Sequence, residues 1–469
     1  MSIELSSSTR RTLPLRQAWL VLVVVVVADL MDLVDTSVAT LAGPSIRAGL
    51  GGGPMTLQWV LSAYTAAFAL GLVTSGRLGD LLGRRRLFLL GMAGFTLASL
   101  ACGLAPSPAF LIVARVAQGL FGAVMIPQGM ALVKVVFPPE HLRKALMPFG
   151  PIMGLATVAG PILAGWLLQL DLFGSQWRSI FLINVPFGVL AGVLAWFVLP
   201  RDSGEDRSAR LDLTGIGLLT AGSALLIVPL IQGRELGWPL WTYVMIAAAV
   251  VAFGLFVVSE RRSRHPVIAP TLFGKRGFVV GLLLVGGFYA CLSAFVLVIN
   301  LLLQSGLGWT PLQSGLALIP WAAGTAIATL LSGAVLAEKL GRASIHLGLS
   351  IAAAGLLALW WTTATGATGW PLTLALFLTG AGSGLLFIPL FDFILGDATP
   401  EEVGTGSGML NATQQFANAV GVAALGTVFF ARVGTPSTAS YFAAAELVFG
   451  LCAGVYLLLV LLVRLLPKR

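Results

Sequence analysis

The sequence predicts an all-α polytopic membrane protein of fourteen transmembrane helices, with both termini on the cytoplasmic side. Three observations carry this. Hydrophobic residues fill 57% of the 469 positions and charged residues only 10%, with a mean hydropathy of +0.95; a soluble chain carries roughly 25% charged residues. The apolar residues form continuous runs of about the 20 residues that a helix needs to cross the hydrocarbon core. They lack the period-two alternation of a barrel strand.

The spans read in order as 18–41, 57–76, 86–104, 108–133, 145–169, 179–199, 213–231, 241–259, 278–303, 312–336, 344–363, 371–396, 404–431 and 441–465. The first has the charge and length of a signal peptide. It lacks a small-residue cleavage site and runs on into Asp29, Asp32 and Asp35, so it is read as a retained helix. The 56 Gly and 24 Pro recur inside the spans, where packed membrane helices tolerate them. Orientation follows from the basic residues. With the N-terminus inside, 23 of the 28 Lys and Arg fall in cytoplasmic segments; Arg47, Arg178, Arg234 and Arg432 fall outside, and Arg115 lies within the fourth span. That bias is the positive-inside rule. It accounts for the net charge of +9 without a nucleic-acid partner. Cys102, Cys291 and Cys452 lie in three different apolar runs, without metal or disulfide spacing, and are expected to pack.

An internal repeat organises the chain. The loop Gly76–Arg86 and the segment Ala334–Arg342 align at an offset of 258, pairing Leu78 with Leu336, Asp80 with Glu338, Gly83 with Gly341 and Arg84 with Arg342. Residues 1–200 and 271–469 are therefore expected to be two six-helix bundles, with two inserted transmembrane helices and their linkers at 201–270. Parallel repeats of this kind mark transporter folds.

Four stretches carry a more specific resemblance. Asp35, Ala42 and Pro44 fit the pattern Asp-x-Thr-x-x-Asn-x-Ala-Leu-Pro, from which Ser37, Thr40 and Gly43 depart. Arg115–Gly119 reads Arg-x-x-Gln-Gly, Gly154–Gly165 contains Gly160-Pro161, and Trp177–Gly188 closes the set. With the Gly76–Arg86 loop, these resemble the major facilitator superfamily, in its fourteen-helix drug:proton antiporter branch. The resemblance implies alternating access, with Asp80, Gly83 and Arg84 in a gating latch. It also implies that the kink at Gly160 and Pro161 seals the interface between the halves.

Ionisable groups at membrane depth mark pathways or relays. Asp29, Asp32 and Asp35 recur every three residues and share one slowly turning stripe of a helix. A carboxyl there can carry a proton as the site changes sides; Asp35, at the motif position, is the first candidate and Asp32 the second. Arg115 lies ~10 Å into its span at 1.5 Å per residue, the depth of Asp35, and is its natural partner because an Arg holds its charge. A static ion pair that only fixes packing is the competing reading.

Candidate substrate contacts are Gln118, Asn300, Gln304, Asp392, Asn411, Gln414, Gln415, Phe288, Tyr289 and Trp321; Asn411, Gln414, Gln415 and Asn418 share one helical face. No nucleotide-binding loop, zinc pattern or nucleophile–base set is present, so no metal, cofactor or enzymatic activity is expected. The expected function is proton-driven export of amphipathic drugs or antibiotics, cationic or neutral, by a monomer in a bacterial plasma membrane. The alternative is a narrow exporter of one endogenous lipid or secondary metabolite.

Overall fold

The computed structural model describes residues 14–466, apart from 52, 139–140, 142–159, 161, 172–173, 201–212, 234–235, 263–269, 333–339, 367–368 and 396–399. Among the described residues, thirteen helical segments are long and apolar enough to cross a membrane. The fifth expected span falls mostly outside them, Pro161 included, although 162–170 is helical and Gly160 is buried. Helix boundaries otherwise fall within a few residues of those read from the sequence, except that the second span, read as 57–76, runs on to Leu82 and leaves Gly83 alone between two helices in the expected Gly76–Arg86 loop.

The helices are α1 (Leu15–Leu41), α2 (Gly43–Leu50), α3 (Pro54–Leu82), α4 (Arg84–Gly103), α5 (Pro108–Val136), α6 (Ser179–Leu182), α7 (Asn184–Val198), α8 (Leu213–Gln232) and α9 (Leu240–Arg262). They continue as α10 (Pro270–Phe273), α11 (Arg276–Leu301), α12 (Pro311–Ala317), α13 (Ile319–Leu331), α14 (Arg342–Thr365), α15 (Trp370–Leu395), α16 (Pro400–Val433) and α17 (Thr438–Leu462).

Their ends have local causes. Ser107 accepts from the Phe110 N–H at 3.3 Å to open α5, with Pro108 at the first helical position. Thr310 with Gln313, and Ser437 with Ser440, close capping boxes on α12 and α17. Two expected spans are broken. The sixth divides at Ile183 and the tenth at Leu318, because Pro186 and Pro320 donate no backbone bond. The ninth ends in a π-helical turn, Leu302–Gly306.

The repeat-related glycines behave alike. Gly83 has φ 92° and Gly341 φ 47°, and each precedes the helix that follows its loop, α4 or α14. Both occupy backbone conformations that side chains resist.

Helices α1, α3, α4, α5 and α7 pack on one another, and so do α11 and α13 to α17. Within the second group a Cβ at Gly380 or Gly384 would strike the carbonyls of Trp321 or Thr325, so α15 and α13 meet backbone to backbone. The two groups join along α3 and α16. The inserted pair α8–α9 packs together, and α8 lies against both α3 and α16. The outside carries large apolar side chains such as Phe197, Leu240 and Trp370, exposed by 78% or more. Hydrocarbon accepts such a surface and water does not.

Candidate functional site

Three carboxylates line the buried side of α1: Asp29, Asp32 and Asp35 are each at most 8% exposed. Opposite them stands Arg115 of α5, fully buried. A glycine brings it there. A Cβ at Gly119 would press on the Tyr64 carbonyl and lie 3.2 Å from the Ala67 Cβ, so α5 runs close against α3. The Arg115 guanidinium then lies 4.1 Å above the Tyr64 ring and 5.5 Å from that of Phe181, a desolvated cation–π setting. Its Nε donates to the Val60 carbonyl at 3.2 Å.

The three acids differ in how completely they are satisfied. Asp35 accepts from three side chains: Arg115 Nη1 at 2.5 Å, Gln118 Nε2 at 2.8 Å and Asn184 Nδ2 at 2.9 Å. Gln118 holds this arrangement, accepting from Arg115 Nη1 at 2.7 Å and donating to the Ser99 hydroxyl at 2.9 Å. A buried charge pair is tolerable when its remaining lone pairs and protons are taken up in this way. Asp32 accepts from the Tyr64 hydroxyl, so Tyr64 serves one acid with its oxygen and Arg115 with its ring. Asp29 Oδ1 is buried without a hydrogen-bond partner among the described residues. Down α1, the carboxylates go from fully held to partly open.

The other candidates are spread over the second group. Phe288 packs on Tyr289, Phe387 and Tyr456, and Tyr289 on Phe387, with ring centroids 5.0–6.2 Å apart, joining α11, α15 and α17. Trp321 lies 5.9 Å from Phe295; its Nε1 and Asn300 Oδ1 are buried without partners among the described residues. Asn300 Nδ2 bonds the Val296 carbonyl of its own helix at 2.8 Å. Gln304, on the π-helical turn, donates to the Leu41 carbonyl at the end of α1 at 2.9 Å. Asn411, Gln414, Gln415 and Asn418 are half-buried on α16, with Asn418 donating to Gln415 at 3.1 Å. Gln118 stands apart from all of these, inside the Asp35–Arg115 cluster. Arg84 opens α4 directly after Gly83. Asp80 and Asp392 lie in α3 and α15, and their side chains are outside the described residues.

Several residues in the site gave little signal in sequence. Asn184 and Ser99 are lone polar positions in apolar runs, and Tyr64 looks like any packing aromatic. Gln58 and Ser62 of α3 reach across the seam to α16. Gln58 Nε2 lies 3.1 Å from the Ala423 carbonyl and 3.2 Å from the Thr427 hydroxyl, and Ser62 donates to the Ala419 carbonyl at 3.2 Å. A buried Gln inside a transmembrane stretch was the available clue.

Comparison with known proteins places this geometry. The family description "Major Facilitator Superfamily" matches residues 25–422. The chain is 43% identical over 435 residues to the "Probable actinorhodin transporter" of Streptomyces coelicolor, covering 91% of this chain and 75% of that one. It is 34% identical to the "Puromycin resistance protein pur8" of Streptomyces alboniger, covering 91% and 83%. It is 32% identical to the "Tetracenomycin C resistance and export protein" of Streptomyces glaucescens, covering 89% and 77%. Among solved structures, the peptide transporter POT in complex with sulfate shares the fold, with a TM-score of 0.68 at 14% identity and 96% of each chain covered. The apolar helices, the buried ion pair and these likenesses agree: the chain belongs to the major facilitator superfamily, in the branch of the antibiotic and multidrug transporters.

Proposed function

We propose that this protein exports an amphipathic antibiotic or drug, cationic or neutral, across a bacterial plasma membrane in exchange for protons, by alternating access and as a monomer. The reading needs no cofactor, because the proton gradient supplies the work. The observation that carries it is the graded acid ladder on α1. Asp35 is held by three donors, one of them a permanent cation, and serves as the anchor. Asp32, with the Tyr64 hydroxyl, and Asp29, with an open oxygen, are the groups that exchange protons or meet a cationic substrate. In this reading Asp35 orients the cluster rather than carrying the proton itself.

A second, narrower reading is export of a single secondary metabolite. It is favoured by the relatives named for actinorhodin and tetracenomycin C. A broad substrate panel separates the two.

The test uses purified protein in liposomes with an internal pH dye. Ethidium is added first, then neutral and anionic natural products. Substrate-dependent proton flux is expected in the wild type and not in Asp32→Asn. Drug movement that ignores an imposed pH gradient, across the whole panel, would overturn proton exchange.

A further inference from the structure

The inserted helices had no role legible in the sequence. Their seat in the structure gives them one. Helix α8 ends at Gln232, and the last four carbonyls of any helix lack an intrahelical donor. The Pro229 carbonyl takes the Gly233 N–H at 2.8 Å and the Gln232 carbonyl takes the Leu236 N–H at 3.2 Å. The Leu230 carbonyl takes the Thr427 hydroxyl of α16, at 2.6 Å.

That same hydroxyl accepts from Gln58 Nε2 of α3 at 3.2 Å. One oxygen therefore sits at the meeting point of three elements: the first group, the second group and the inserted pair. Ile227 and Ile231 of α8 are buried with Ala419 and Ala423 of α16, while Met55, Trp59 and Ala66 of α3 pack at the margin. Phe253 of α9 meets Phe416 of α16 edge-on, with centroids 5.8 Å apart. The inserted pair is thus tied to α16 by a hydrogen bond and a ring contact, and packs on α3 through the apolar side chains of Met55, Trp59 and Ala66.

We propose that Thr427 is a positioning residue of the transport cycle. Its hydroxyl fastens α8 to α16 throughout, and couples both to α3 through Gln58 only while this end of the seam is shut. When the seam parts, the bonds of Gln58 to Thr427 and to the Ala423 carbonyl and the Ser62–Ala419 bond break, while the Thr427–Leu230 bond survives. The inserted pair then travels with the second group and slides over α3, covering the opening from lipid. This rests on the exporter reading only in requiring that the seam opens.

The test needs no substrate and no gradient, so its failure is distinguishable from failure of that reading. Ser62→Cys, buried in the shut seam, reports opening through labelling by a membrane-impermeant maleimide. The native cysteines are buried. Added Thr427→Val removes one hydrogen bond across the seam, the one from Gln58, and is expected to raise the labelling rate about fivefold, the factor that one such bond gives. Thr427→Ser should restore the parent rate, which a merely space-filling role would not require. Independently, a thiol cross-link between Phe253→Cys and Phe416→Cys should leave Ser62→Cys labelling unchanged. Equal labelling in Thr427→Val and the parent would overturn the proposal. So would a Phe253–Phe416 cross-link that suppresses labelling.

Discussion

Breaking the Asp35–Arg115 pair from either side should give unequal costs, and the inequality is readable from the cluster. Removing one partner of a buried ion pair costs about 3–5 kcal/mol, most of it from the charge left behind. In Arg115→Gln the carboxylate keeps two donors, Gln118 and Asn184. A lone carboxyl can also shed its charge by taking a proton, so the cost falls near 3 kcal/mol. In Asp35→Asn the guanidinium stays charged, because it cannot deprotonate. The new amide can accept with its oxygen, but its NH2 group faces the donors of Gln118 and Asn184. The cost then rises toward 5 kcal/mol. The double variant removes both charges and should recover about 2–3 kcal/mol relative to the sum of the singles. Equilibrium unfolding in mixed micelles, followed by tryptophan fluorescence, measures all four corners. Additive single costs, or a single cost under about 1 kcal/mol, would refute the view that the pair is a buried, mutually dependent unit.

Two further outcomes follow from backbone geometry. Gly119→Val should push α5 off α3, cost about 1–3 kcal/mol and abolish transport, since the Tyr64 carbonyl blocks the added Cβ; unaltered transport would show that α3 and α5 can yield. Gly341→Ala, at φ 47°, should lower stability by about 1–2 kcal/mol, with Gly83→Ala matching it if the two loops are equivalent; the thermal unfolding of the two variants can be compared side by side.

The parts that sequence made legible are those set by solvent and by periodicity. The helix positions follow from what hydrocarbon will accept, and the depth of Arg115 follows from 1.5 Å of rise per residue. Asp35 and Arg115 could be paired because each is intolerable alone at that depth. Asn184 could not be assigned to them: an amide in an apolar run has no charge to betray its partner, and it lies 149 positions from Asp35. The break at Leu318 was masked by continuous hydropathy, although Pro320 was in view. The seat of α8 was invisible for another reason. It depends on a hydroxyl 197 residues further along the chain, and no local pattern encodes such a distance.

The seam between α3 and α16 is held in part by neutral amides and hydroxyls, Gln58 and Ser62, and Gln304 after α11 likewise holds the end of α1. Each such bond nets only about 1 kcal/mol. A single charge crossing the membrane releases about 2.3 kcal/mol for every 100 mV. Under the proposed exchange for protons, the closure is therefore of the same size as the force available to undo it: one ion's descent would be enough to tip the door, and its reversal enough to let it fall shut. A buried ion pair at the same place would cost about 3–5 kcal/mol to break, more than one charge releases at 100 mV.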